Sequence, residues 1–441
     1  MTRRPLHPAI LIALALAWLV FPPAQAGAQK FDWQGQKGTT IRAMFSKGAL
    51  GQTIESLLPD FEKLTGIKVQ YESFPEDQFR QKVLLELGAG TGGLDVFWTF
   101  AAQEGLKFAH AGWYEPLDAY LKNPRLTDPG YDLADISKVA FQGNLIEGKL
   151  IALPLHQNSS MLYYRKDLFE KHKIKVPQTF QELEEAARRL HNVEDGGQKM
   201  VGIVMRGKKA AATSQWAPFL LGMGGSWLKD GRPAINASEA VQAFDLYGRL
   251  LRNYGPPGAV NYHWYETVSL FAQGKAAMFT EANIRLPILE DPTKSQVAGK
   301  VGYAMFPAGP AGQRPTMEVG SVAVSSKSKK KEAAYLFAQW LTAKESALRL
   351  QMKGIPVPRS SAWVDPRFLA EMKAHPDWTQ ASLRSLDIAS TSYNPPVVAV
   401  SEVRDEVGAV IVSSILGENV KAAADRAAAE MAKVMEKTEG K

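Results

Sequence analysis

The stretch LIALPLHQNSSMLYYRKDLFEK, residues 150–171, decides the fold. Its opening, Leu150 to Leu153, reads as a short buried strand that Pro154 ends, because proline brings no backbone N–H to a ladder. His156, Gln157, Asn158, Ser159 and Ser160 follow as a polar patch, and Met161 to Tyr164 is a second apolar run leading into the charged start of a helix. Polar groups held between buried strands are where a scaffold offers hydrogen-bonding atoms to a ligand.

Upstream, Thr40 to Ser46 reads as a strand, and Ile54, Leu57, Leu58, Phe61 and Leu64 repeat with helical spacing. Gly66 caps that helix and Ile67 to Tyr71 is a second strand, so the unit is βαβ and the class α/β. A helix over 77–87 precedes Gly88-Ala-Gly90-Thr-Gly92-Gly93, which matches G-x-G-x-x-G. A dinucleotide site needs strand, glycines, then helix. Here the order is reversed, and the strand from Leu94 to Phe100 follows, so a tight turn is the reading. Trp98 and Thr99 fall at the carboxyl end of that strand, where open α/β sheets bind ligands.

Downstream, Thr179 and Glu182 are spaced as a capping box. Further elements are expected over 200–205 (strand), 238–253 (helix), 262–266 (aromatic loop), 276–280 and 302–306 (strands), 319–325 (strand) and 331–350 (helix), with two final helices split at Gly417. The Pro/Gly loop 307–315 is a second crossing, and the lysines of 326–331 are a solvated turn.

Composition narrows the function. At 441 residues the chain suits two domains. The net charge of +7, near +5 without Arg3 and Arg4, is mild, and no basic stripe interleaves with aromatics, so nucleic acid is not expected. With no cysteine there is no disulfide, thiolate site or lipid-acceptor cysteine. Arg3 and Arg4, the apolar run Ala9 to Val20, Pro22-Pro23 and Ala24-Gln25-Ala26 read as a cleaved secretory signal over residues 1–26. No H-E-x-x-H, Gly-x-Ser-x-Gly or phosphate loop occurs, so zinc hydrolysis, the serine elbow and ATP hydrolysis are not expected.

The order of these motifs (strand to Pro154, "YYRKDLF" at 163–169, the capping box, "GKAAM" at 274–278, then the lysine-led helix) resembles that of bacterial extracellular solute-binding protein family 1, from about Thr40 to Lys437. The resemblance implies a two-lobed periplasmic-binding-protein fold: residues 38–153 and 310–355 in one lobe, 154–309 and 356–441 in the other, hinge segments between them and a ligand cleft. It also implies a periplasmic component of an ABC importer, a sugar or polyol as cargo, permease subunits with a separate ATPase as partners, a monomer, and no cofactor or catalysis. Two departures set the site apart from a maltose-type one: Glu281-Ala282-Asn283-Ile284 replaces a stacking Gly-x-Trp, and Val319-Gly320 replaces Gly-Gly.

A carbohydrate site needs aromatic faces and planar polar groups. The candidates at loop ends are Trp98, Thr99, Gln157, Asn158, Trp216, Trp264, Glu281, Asn283, Ser321 and Arg359, with core packing as the alternative for the tryptophans and an interlobe ion pair as the alternative for Glu281 and Arg359. A secreted carbohydrate-active enzyme, or the same fold holding a polyamine or an anion, are the competing functions.

Overall fold

The computed structural model describes residues 30–439, so the secretory-signal reading lies outside the described residues. Its centre is an eight-stranded sheet. We label the strands β1 (Thr40–Ser46), β2 (Lys68–Phe74), β3 (Val96–Phe100), β4 (Leu153–Arg165), β5 (Val201–Val204), β6 (Ala276–Ala282), β7 (Val301–Met305) and β8 (Met317–Val324). The spatial order is β2-β1-β3-β8-β4-β6-β5, with β7 also on β4. β1 runs parallel to β2 and β3, β8 is antiparallel to β3, and β5 is parallel to β6.

β4 joins the two halves. Leu153 to Ser159 pair with β8, and Ser160 to Arg165 pair with β6 and β7. Pro154 therefore does not end a strand, and residues 156–160 are the middle of a 13-residue one. The reason is on the partner strand: the β8 register shifts between Gly320 and Ser321, opposite His156 and Pro154. A bulge tolerates the missing proline donor.

The helix Ala49–Thr65 buries Ile54, Leu57, Leu58 and Phe61 as the spacing predicts, but Leu64 is 40% exposed and Thr65 is buried instead. Gly66, at φ 69°, supplies the left-handed cap. Helix Glu76–Ala89 ends at a left-handed Gly90, confirming the glycine run as a turn between helix and strand. Thr179 and Glu182 form a reciprocal capping box on helix Phe180–Leu190. The helix expected over 331–350 is two, Lys331–Leu341 and Lys344–Met352.

Apolar side chains collect in two main buried clusters. One packs around β1–β3 and β8 and continues across β4 to β6, β7 and helix Trp264–Ala272; the other packs around helices Lys209–Gly222, Ser238–Tyr254 and Val400–Leu416. The short helices Ser360–Val364 and Pro366–Glu371 pack against Lys344–Met352, so the chain after residue 355 stays on the first cluster's side before Val400–Leu416 packs against Lys209–Gly222. No described helix is long and apolar enough to cross a membrane.

Candidate functional site

A cavity of about 480 Å³ opens where the two halves meet. One wall comes from the loop after β1 (Ser46 to Leu50), the first turn of helix Glu76–Ala89, and Trp98 and Phe100 of β3. Opposite are Arg206 to Ala211 after β5, His263, Trp264 and Arg285. His156, Asn158 and Glu318 come from the paired strands β4 and β8, and Tyr393 and Arg404 close the remaining side. The β1 and β5 residues and Phe100 of β3 lie at or beyond the carboxyl ends of their strands, with Trp98 two residues earlier, as open α/β sheets place their ligands.

A hydrogen-bond relay orients one lining group. Trp98 Nε1–H donates to His156 Nε2 at 3.1 Å, and His156 Nδ1 lies 3.1 Å from Asn158 Oδ1. An indole N–H only donates, so Nε2 must accept and the proton sits on Nδ1. Burial pushes His156 down to about 4, which keeps the ring neutral. Asn158 Oδ1 is thereby occupied, and its amide N–H₂ is the half left for the cavity.

A second network fixes charge. Arg80 bonds Glu76 and Glu104, each at 2.9 Å, and Thr99 Oγ1 donates to Glu104 at 3.0 Å. Burial alone would raise the Glu76 carboxyl, but the Arg80 charge and hydrogen bond more than offset it, and Glu76 sits at about 2. Across the cavity Arg206 is bidentate on buried Glu281, with Nε donating at 2.7 Å, and Arg285 lies 3.6 Å from the same carboxylate. Burial raises Glu281, yet Arg206 and then Arg285 outweigh it and leave it below its usual range.

Trp264 is the first residue of helix Trp264–Ala272, which is capped by His263 and Glu266 and so begins earlier than expected. Its Nε1–H donates to Glu76 at 3.2 Å, the Arg285 guanidinium sits 4.2 Å from its ring, and Tyr265 packs at 3.7 Å between centroids. These contacts tie the two halves together across the cavity mouth.

Of the ten candidates from the sequence, Trp98, Asn158 and Trp264 line this cavity, and Glu281 lines a small chamber beneath it with Arg206 and Glu318. The other six do not. Thr99 is buried behind Glu104 and Tyr114. Gln157 alternates to the opposite face from Asn158 and donates to the Val357 carbonyl. Asn283 binds the Ser159 amide and Ser382. Ser321 is buried in β8 against Pro154. Arg359 is buried on the first half, over Tyr131 and 3.6 Å from Asp135, so it makes no pair with Glu281. Trp216 is fully buried and stacked on Phe244 at 3.9 Å. Trp216→Phe should accordingly lower unfolding stability by about 1–3 kcal/mol and leave ligand affinity within twofold. Urea unfolding with isothermal titration checks this, and a large affinity loss would return Trp216 to the site.

The sequence reading placed His156 in its polar patch without choosing it as a contact, and missed Glu76, Arg80, Arg206, Arg285, Glu318, Tyr393 and Arg404. Two carried a visible signal: Glu318 interrupts the apolar run Met317-Glu318-Val319, and Arg206 follows the apolar strand Val201–Val204 with only Met205 between. Arg404 lies in an ordinary polar helix start and had none.

The chain resembles known proteins in sequence and in fold. The chain is 27% identical over 349 residues to the mannitol-binding protein of Pseudomonas aeruginosa, covering 76% of this chain and 74% of that protein. It is 28% identical over 347 residues to the erythritol/L-threitol-binding protein of Mycolicibacterium smegmatis, covering 74% and 71%. The crystal structure of an ABC transporter solute-binding protein from Agrobacterium radiobacter K84 in complex with ribitol superposes with a TM-score of 0.81 at 28% identity, covering 90% of this chain and 99% of that one. The two-lobed architecture expected from the sequence is thus that of a solved relative. Residues 46–348 match the family model for bacterial extracellular solute-binding proteins, and the chain belongs to that family.

Proposed function

We propose that this protein is the periplasmic solute-capturing component of an ABC importer, that its cargo is a polyol or small sugar, and that it passes this cargo to permease subunits driven by a separate ATPase. Residues 1–26 act as a cleaved secretory signal, and the mature protein works as a monomer. The lobes are 38–153 with 310–355, and 154–309 with 356–441, the segment around Arg359 to Glu371 docking back on the first. The observation that carries this reading is the cavity wall itself. Lining groups from both halves converge on one space, and most are hydrogen-bonding atoms already oriented by their neighbours. The polyol-binding relatives support the cargo class.

The mechanism is a population shift. A solute bonded to both walls favours the closed arrangement over the open one by its extra contacts, and bending occurs at the segments joining the halves, near residues 306–316 and in β4. No bond is made or broken. The aromatic faces are largely spent: Trp264 is covered by Arg285 and Tyr265, and Trp98 stacks on His156. Recognition therefore rests on hydroxyl contacts.

The test is a thermal-shift screen of the mature protein against polyols, monosaccharides, disaccharides, amino acids and polyamines. A ligand at about a hundred times Kd stabilises the native state by about 2.7 kcal/mol. A polyol or sugar should raise the melting temperature and be recovered unchanged. Stabilisation by polyamines or acids alone would sink the cargo assignment, and consumption of a carbohydrate would replace transport with catalysis.

A further inference from the structure

Most of the charged groups inside the cavity are already paired: Arg80 with Glu76 and Glu104, and Arg206 and Arg285 with Glu281. Glu318, Arg404 and Tyr393 are not, and the neutral Gln103 side-chain amide also makes no hydrogen bond among the described residues. Glu318 makes no side-chain hydrogen bond or ion pair among the described residues. Arg404 donates only to the Ala210 carbonyl, at 2.7 Å, and its Nε is buried without a partner. The Tyr393 hydroxyl is buried without a partner as well. Charges at the rim (Lys47, Asp77, Lys208, Lys209 and Asp405) are exposed and solvated.

A buried polar atom without a partner costs free energy, so the Tyr393 hydroxyl and Arg404 Nε, together with the half-buried and unpaired Glu318 carboxylate, mark what the ligand must supply. Glu318 stands directly opposite Asn158 across the β4–β8 pairing, so both side chains leave the same face of the sheet. Asn158 offers a donor and Glu318 an acceptor, side by side. A hydroxyl group is both donor and acceptor, so neighbouring hydroxyls satisfy the two together. Tyr393 and Arg404 offer donors, and one unpaired negative and one unpaired positive side chain balance in charge.

Resting on the transport reading above, we propose that Glu318, Tyr393 and Arg404, none of them in the paired networks, are the specificity-determining contacts of this protein. They select a neutral ligand that carries adjacent hydroxyls on the Asn158–Glu318 side and a further hydroxyl within reach of Tyr393 and Arg404. Unpaired polar groups kept in a cavity at a cost to folding are the usual trade of stability for binding.

Burial raises the Glu318 carboxyl above its ordinary range, against the pull of Arg206, with Glu281 and Glu76 adding to the rise and Arg285 opposing it. Hydroxyls donating to the carboxylate favour its charged form. Affinity is therefore full at high pH and falls as pH drops through the Glu318 titration.

The experiment is isothermal titration of D-mannitol and ribitol into the wild type and into Glu318→Gln, Tyr393→Phe and Arg404→Gln, at about pH 7.5 and about pH 5. Each variant should weaken the bound polyol at least tenfold. The wild-type affinity should fall on acidification and the Glu318→Gln affinity should not. Without ligand, Glu318→Gln and Arg404→Gln should melt at or above the wild-type temperature, because each removes a half-buried charge that has no ion-pair partner among the described residues; a merely structural role would lower it. If the wild type binds a polyol and all three variants bind within twofold of it, the specificity assignment falls while the transport reading stands. If the wild type binds neither polyol nor any sugar but takes an amino acid, both fall together.

Discussion

Gly320→Ala is expected to abolish tight ligand binding and to cost the fold about 2–5 kcal/mol. A Cβ at Gly320 would lie 2.0 Å from His156 Nε2 and 2.6 and 2.7 Å from two ring carbons, closer than any real contact allows. The His156 ring has nowhere to go: it stacks on Trp98 at 5.6 Å, meets Phe100 edge-on at 5.8 Å, and is 1% exposed. Overpacking of this kind costs about 1–3 kcal/mol, and a buried donor or acceptor left unpaired adds about 1–3 more. Displacing the ring breaks both bonds of the Trp98–His156–Asn158 relay, so Asn158 loses its fixed orientation and affinity should drop about a hundredfold. Urea unfolding and isothermal titration with a polyol measure the two effects. The double variant Gly320→Ala with His156→Ala separates them, since removing the ring restores the space but not the relay: stability should partly recover and affinity should not. A single Gly320→Ala variant with wild-type affinity would show that the relay does not organise the cavity.

Gly320 also shows why part of the fold was legible in the sequence and part of the site was not. The βαβ unit over 40–74, the capping box at Thr179 and the glycine turn at 88–93 each depend on residues within one or two elements, so spacing alone reveals them. Pro154 misled because its effect depends on a bulge in a strand more than 160 residues away. Trp216 and Trp264 look alike locally. One is buried in a helix packed on all sides and the other is the first residue of a helix facing the first half, and only the packing separates them. The charged residues of the cavity were missed for a related reason. Their guanidiniums and carboxylates are scattered along the chain and meet only when the two halves pack, so no one local cluster marks the site in the sequence.

Arg206→Ala should be the most destabilising single change in the cavity, by about 3–5 kcal/mol. Arg206 and Glu281 are 8% and 3% exposed, and the pair is bidentate, so removing the guanidinium strands a carboxylate in the interior. Arg206 Nη1 also donates to the Ala211 carbonyl at 3.3 Å and to Ser214 Oγ at 3.5 Å, so the damage extends into helix Lys209–Gly222. Arg285, 3.6 Å from Glu281, softens the loss and places the expected value toward the lower part of the range. The pH dependence gives the sign. In the wild type Glu281 lies below its ordinary value of 4.5, so its contribution to stability is present above that value and is lost as pH falls through the folded-state titration. In Arg206→Ala, burial is no longer outweighed by its strongest opponent, and the carboxyl rises instead. The variant's deficit should then be largest near neutral pH and shrink on acidification, as Glu281 takes a proton and its buried charge disappears. Glu281→Gln in the Arg206→Ala background should recover part of the stability at neutral pH. Urea unfolding of the wild type, Arg206→Ala, Glu281→Gln and the double variant at two pH values gives the coupling energy directly. A deficit that stays constant with pH, or a double variant no more stable than Arg206→Ala, would mean that lost packing rather than a stranded charge sets the cost.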